Sequence, residues 1–187
     1  MGKKILIVVD MQNDFIDGAL GSKEAEQMVE RCADKAREAQ KAGDIVIFTR
    51  DTHGADYMES EEGKNLPVPH CIEGTKGWEI APAFAGSEAG SVVYNKETFG
   101  SRALGEKVAE LCASEEIDCA ELVGLCTDIC VISNALLVKA FCPNLPIYVD
   151  ASCCAGVTPE SHDTAIRAME SCHIHVTHKG EEPWRNA

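Results

Sequence analysis

Six short apolar runs, ILIVV (5–9), IVIF (45–48), VVY (92–94), ELVGL (121–125), PIYV (146–149) and HIHV (173–176), punctuate this chain at wide intervals. Runs that stay apolar at successive positions and are rich in β-branched residues suit strands covered on both faces, as in a parallel sheet. Between them lie stretches of helical period. Ala25, Met28, Val29, Cys32, Ala36 and Ala39 form one apolar stripe, and Leu104, Val108, Leu111 and Cys112 form another. The segment from Ile129 to Phe141 is apolar nearly all round and predicts a helix buried on most sides. Thr158 followed by Pro159 supplies an N-cap and a first-turn proline for a last helix carrying Ala165, Ile166 and Met169. Strand and helix in alternation predict a doubly wound α/β fold, a mostly parallel sheet of about six strands with helices on both faces. In such sheets ligands gather beyond the carboxyl ends of the strands, so function is expected where the strands stop.

With 187 residues, 45% of them hydrophobic, the chain is long enough for a substantial core, and it reads as a single domain over residues 1–187. Thirty-one acidic against seventeen basic residues give a formal net charge of −14, and no Lys/Arg cluster offers a footprint for phosphate backbones. Nucleic acid and anionic membranes are therefore poor fits as partners. The opening MGKKILIVVDM has a basic end, but its apolar run meets Asp10 too soon for a signal-peptide core or a membrane span. Ten cysteines without a secretory signal predict a reducing cytoplasm, where most of them, the vicinal Cys153 and Cys154 included, pack as small apolar residues. No CxxC occurs, which argues against a thioredoxin-like redox site and against a zinc ribbon. The pattern is interrupted from Arg50 to about Gly90 by an irregular stretch holding His53, His70 and Trp78; loops this long in a compact domain are usually functional or disordered, and the histidines favour function.

The strand ends carry a short set of polar residues: Asp10, Asp51 with His53, Lys96, Cys126 to Cys130, and Asp150. Asp10, Lys96 and Cys130 are the parts of an activated thiol site, because a thiolate beside an ammonium and at a helix N-terminus has a lowered pKa. With Thr127 or Asp128 as N-cap, Cys130 falls in the first turn of the helix, near its free N–H groups, whereas Cys126 precedes the cap. Cys130 is thus the expected nucleophile, and the same N–H groups can form an oxyanion hole. His173, His175 and His178 sit on or after the last strand and read as structural or solvated; Asp150 and His162 read as capping the last helix rather than closing the site.

Five stretches, VVDMQNDFIDGALG (8–21), TRDTHGADY (49–57), LPVPHCIEGTKGWEI (66–80), YNKETFGS (94–101) and GLCTDICV (124–131), give the chain a resemblance to the isochorismatase-like cysteine hydrolases, and to their nicotinamidase branch in particular. They follow one another in family order over almost the whole chain. The resemblance implies an Asp10, Lys96 and Cys130 triad, a non-proline cis peptide between Leu125 and Cys126, and an oxyanion hole made by the N–H groups of Cys126 and Cys130. It also implies a substrate pocket that includes Phe15 and Leu125.

Asp51 and His53 stand two apart, so an extended chain points both side chains the same way, and His70 offers a second imidazole. Two imidazoles and a carboxylate suit Zn, Mn or Fe, although a D-x-H by itself reads more readily as a surface hydrogen-bonded pair. The resemblance implies a divalent metal on Asp51, His53 and His70, with Glu62 as fourth ligand and Glu59 and Glu61 as rivals, and no organic cofactor. Pro67 departs from the family pattern, which places an aromatic residue there to stack on a pyridine ring. The expected function is a cytoplasmic, metal-assisted amidase that releases ammonia from a small carboxamide such as nicotinamide, in a chain that associates with copies of itself. The alternatives are a related hydrolase of another small amide or carbamoyl compound and a non-catalytic, ligand-binding member. The isochorismatase reaction itself fits less well, since those enzymes lack the histidine pair.

Overall fold

In the computed structural model, which describes residues 2–186, each of the six runs lies in or overlaps a strand: β1 (Lys3–Val9), β2 (Ile45–Asp51), β3 (Val92–Lys96), β4 (Ile117–Leu125), β5 (Ile147–Ala155) and β6 (His175–Thr177). They form one sheet in the order β3-β2-β1-β4-β5-β6, parallel at every pairing. Chain direction across the sheet reverses between β1 and β4, which makes the carboxyl ends of those two strands the topological switch point.

Seven α-helices accompany the sheet among the described residues. The short α1 (Asn13–Ile16) and the long α2 (Lys23–Ala42) follow β1, and α3 (Glu61–Asn65) and α4 (Ala85–Glu88) interrupt the long connection from β2 to β3. Then come α5 (Arg102–Ser114), α6 (Ile132–Phe141) and α7 (Pro159–Ser171). Thr158 caps α7, its hydroxyl accepting from Ser161 N–H while Ser161 Oγ accepts from Thr158 N–H. On one face of the sheet Leu104, Val108, Val131, Val138, Ile166 and Met169 pack against Ile5, Ile7, Leu122 and Val149. On the other, Met28, Cys32 and Ala36 of α2 join Phe84 and Trp184 over Leu6, Val8 and Phe48. Six strands with both faces covered explain why the strand runs carry no polar alternation.

Two expectations are corrected. The apolar α6 is buried on one side only: Asn134, Ala135 and Val138 face inward, while Leu136 and Phe141 remain 38% and 37% exposed. Its outer side meets no further layer of this chain among the described residues, something periodicity does not report. Asp150 does not stand at a strand end either, because β5 runs on to Ala155. Leu122 pairs with Val149 but Gly124 with Cys154, so β5 accommodates extra residues in a bulge at Asp150–Cys153. The carboxylate is tolerated there because Lys35 of α2 reaches it, with Ser152 N–H donating at 3.0 Å.

Candidate active site

β1 ends at Val9, and Asp10 turns the chain away with a left-handed φ of 47°, a conformation that aspartate tolerates better than most residues. Its carboxylate is fully buried; Oδ1 accepts from Thr49 Oγ at 2.7 Å. Oδ2 lies 2.7 Å from Lys96 Nζ, off the hydrogen-bonding direction, so it faces a positive charge without a directed hydrogen bond. Lys96 is the last residue of β3 and pairs in register with Asp51, the last of β2. Its ammonium donates to Asp51 Oδ1 at 3.0 Å and to Cys130 Sγ at 3.5 Å, so one positive charge faces three acidic groups. Burial alone would lower the Lys96 pKa, but Asp10, Cys130 and Asp51 hold it well above the ordinary value.

Cys130 is 4% exposed and sits in a wide turn, Thr127–Val131, that links β4 to α6. Cys126, rather than Thr127 or Asp128, is the capping residue: Val131 N–H donates to its carbonyl at 3.1 Å, a span of five residues. The Leu125–Cys126 peptide is cis. Gly124, at φ 120°, enters this corner so close to β1 that a Cβ would stand 2.1 Å from Val9 O, and only glycine fits. At the far end of the turn Asn134 Nδ2 donates to Cys130 O at 2.8 Å and to Phe99 O at 3.0 Å. The expected lowering of the thiol pKa is not found. Burial, reinforced by Asp10, pushes the Cys130 thiol well up despite Lys96. Burial likewise raises the Asp10 carboxyl against the pull of Lys96. Burial thus favours the proton-bearing form of both groups, with Lys96 opposing it in each.

Asp51 joins this group to a second one. Its Oδ2 lies 3.0 Å from His53 Nε2 and 3.5 Å from His70 Nε2, and Glu62 Oε1 lies 3.6 Å from both nitrogens. All four ligand atoms fall within 4.8 Å of one another. Metal–ligand bonds of roughly 2.0–2.2 Å place neighbouring ligand atoms roughly 2.8–3.6 Å apart, and the carboxylate–imidazole separations here fall in that range. His70 Nδ1 donates to Val68 O at 2.8 Å, which leaves the Nε2 lone pair facing the cluster. Burial would lower the His70 pKa, but the Asp51 carboxylate and the Val68 carbonyl raise it. The residues present thus fit a divalent metal. Glu62 enters the cluster from α3, whereas Glu59 and Glu61 are exposed outside it.

The loop carrying these ligands is tied down by the QND of the DMQNDF stretch. Gln12 Nε2 donates to Asp51 O at 2.8 Å and to Trp78 O at 2.9 Å, and Asn13 Nδ2 donates to Lys76 O at 2.7 Å. Asp14 Oδ2 accepts from the N–H of Cys71, the neighbour of His70, at 2.7 Å. These tethers, and Asn134, were not singled out from sequence. The motif itself, and one amide in an otherwise apolar helix, were the available signals.

Both groups open on one cleft of about 380 Å³. Phe15 and Leu125 line it, together with Leu20, Leu66, Phe99, Ile129 and Val157, which sequence did not mark as pocket residues. No aromatic replaces Pro67; instead Tyr57, with ring centroids 4.7 Å from His53 and 5.1 Å from His70, buttresses the imidazoles, and Phe15 meets His70 edge-on. His173, His175 and His178 lie outside the cleft: His175 stacks on Tyr148, and His178 Nδ1 is 3.1 Å from Asp150. His162 does not cap α7 but is buried within it, against Thr127 and Glu182.

The sequence model of the isochorismatase domain matches residues 4–181. An isochorismatase family protein of Bacillus subtilis is 31% identical over 172 residues, 88% of this chain and 92% of its own length. The nicotinamidase/pyrazinamidase of Mycobacterium tuberculosis is 29% identical over 184 residues, 92% of this chain and 97% of that one. The crystal structure of the pyrazinamidase of Pyrococcus horikoshii in complex with zinc superposes with a TM-score of 0.79 at 25% identity, over 94% of this chain and 98% of that one. No helix among the described residues is long and apolar enough to cross a membrane.

Proposed function

The chain belongs to the isochorismatase family, as an amide-bond hydrolase, and we propose that it is a cysteine amidohydrolase releasing ammonia from a small carboxamide, nicotinamide in first place, through a thioester on Cys130. The observation that carries this reading is Asp51, whose two oxygens face Lys96 of the thiol group and the histidines of the ligand cluster within one apolar cleft.

Asp10 takes the proton of Cys130 as Sγ attacks the amide carbon, which suits a protonated thiol beside a carboxyl of raised proton affinity. The oxyanion accepts hydrogen bonds from the N–H groups of Cys126 and Cys130. Lys96 keeps Asp10 and the developing thiolate within reach of one positive charge. Asp10 then returns the proton to the departing nitrogen, and ammonia leaves. Asp10 next activates a water that cleaves the thioester, which gives the acid and restores the thiol. Asp51, His53, Glu62 and His70 would hold the divalent metal. When bound, that ion supplies positive charge for a ring-nitrogen lone pair and so fixes the carboxamide near Cys130. The exposed Leu136 and Phe141 of α6 support the further reading that copies of the chain associate through this face.

Ammonia release from nicotinamide and from benzamide, which lacks the ring nitrogen, tests the substrate. Nicotinamide should react at least about tenfold faster, and chelation should remove most of that preference. Equal rates, or a purified protein that binds no transition metal, would restrict the reading to a cysteine hydrolase of another amide.

A further inference from the structure

The turn that carries Cys130 is held from behind by residues that line no part of the cleft. Thr127, His162 and Glu182 are fully buried in their side chains. His162 Nδ1 lies 2.8 Å from Thr127 Oγ, and its Nε2 lies 3.3 Å from Glu182 Oε1. Glu182 belongs to the last residues of the chain, which Trp184 docks onto the body: its indole N–H donates to Cys154 O at 3.1 Å, and its ring meets His162 edge-on. Arg185 pairs with both Glu182 and Asp163.

The hydrogens in this chain of contacts can be assigned. Burial would raise the Glu182 carboxyl, but Arg185 holds it below its usual value, so Glu182 is an acceptor only. Burial pushes His162 down in turn, leaving a neutral imidazole with one donor and one acceptor nitrogen. His162 Nε2–H therefore donates to Glu182, and Nδ1 accepts from the Thr127 hydroxyl. A carboxylate that orients an imidazole, which in turn orients a hydroxyl, usually serves a nucleophile. Here the hydroxyl is sealed from the cleft and its own backbone is what matters: Thr127 follows Cys126 directly, inside the turn. Its neighbour Asp128 is held separately, Oδ1 accepting from the N–H of the cleft residue Val157 at 3.0 Å.

We propose that Thr127, His162 and Glu182 form a positioning relay by which the C-terminal segment fixes the Cys126–Val131 turn, and with it the N–H groups that receive the oxyanion. The relay rests on the reading of Cys130 as nucleophile and adds three positioning residues that never touch substrate. Its geometric basis is the unbroken series of contacts from the buried Glu182 carboxylate through His162 to Thr127, the residue that follows Cys126 in the turn.

The test combines steady-state kinetics with amide hydrogen exchange on Thr127→Val, Thr127→Ser, His162→Phe and the Thr127→Val/His162→Phe double variant. Removing the hydroxyl or the imidazole should lower kcat by about tenfold or more with KM nearly unchanged, the usual scale for a group that orients a reacting one. Thr127→Ser should restore most of the rate, and the double variant should lose no more than the worse single one. Exchange protection should fall in residues 126–131 while the amides of β1 and β4 keep theirs. The relay is overturned by an unchanged kcat in folded Thr127→Val, by equal damage in Thr127→Ser, or by a loss of protection shared with β1 and β4. Should Thr127→Val not fold, His162→Phe decides by the same readouts. A wild-type protein that hydrolyses no amide would sink the functional reading instead, and the exchange pattern would still judge the relay.

Discussion

Gln12 and Asp51 are joined by a closed pair of hydrogen bonds: Gln12 Nε2 donates to Asp51 O at 2.8 Å, and Asp51 N–H donates to Gln12 Oε1 at 2.7 Å. The side chain thus imitates a strand neighbour at the point where β2 stops and the ligand cluster begins. Gln12→Ala should leave the fold intact and weaken zinc binding by about 10- to 100-fold, as the loss of an outer partner of a metal ligand generally does. Competition against a chromophoric chelator measures this, and an unaltered affinity would mean that the loop holds its ligands unaided.

Two thiols face the same cleft, but only one stands next to Lys96. Cys130→Ala is expected to abolish turnover, and Cys126→Ala to keep it within about threefold, since Cys126 is asked for its N–H alone. Iodoacetamide mapping by mass spectrometry should place the inactivating label on Cys130. Inactivation that tracks Cys126 would reverse the assignment.

Asp10 and Lys96 are buried against each other and against Asp51, so each matters for charge as well as for chemistry. Asp10→Asn should cut kcat by roughly a hundredfold or more, the scale of a positioned acid-base group. Lys96→Met leaves two buried carboxylates with less compensation and should lower both turnover and the melting temperature. Near-normal rates in folded samples of both variants would reduce the three residues to a structural ion cluster.

Asp150 gives a pH dependence far from the cleft. Burial would raise its carboxyl, but Lys35, with Ser152, holds it below the ordinary carboxylate value. A depressed folded pKa means that the unfolded chain binds the proton more readily, so the contribution is present above about pH 4 and is lost as pH falls through the folded value. Urea midpoints of the wild type should therefore converge on those of Asp150→Asn as pH is lowered from 5 toward 2. A constant gap across that window would deny the ion pair any role in acid stability. At neutral pH Lys35→Met should cost about 3 kcal/mol, the lower end for breaking a buried pair, because Lys35 keeps partial access to water.

The strands and the residues at their ends were legible because burial on both faces leaves an unbroken apolar run and each run stops at a polar residue. Asp10, Asp51, Lys96 and Cys130 were found that way, and the structure places them side by side. The reading failed where a partner distant in sequence decides the outcome. Asp150 looked like a strand end because the helix residue that neutralises it, Lys35, lies 115 positions away. His162 looked like a helix cap because its partners, Thr127 and Glu182, belong to other elements. Spacing brought Asp10, Asp51 and Lys96 to one rim, but it could not weigh the burial that raises the Cys130 thiol against the ammonium beside it.

The strand order carries a consequence for how the chain is made. β1 is synthesised before the other five strands and occupies the middle of the sheet, yet its second neighbour, β4, spans Ile117–Leu125. Until that segment leaves the ribosome, one flank of β1 has no partner, and the nascent chain holds an open edge on its most apolar strand. Cys130 emerges just five residues after β4 is complete, so its thiol joins Lys96 and Asp10 only once that edge can close. Premature release of the first hundred residues would yield a chain that carries Asp10, Lys96 and all four cluster residues on a sheet lacking half its width, a species for chaperones and proteases rather than for catalysis.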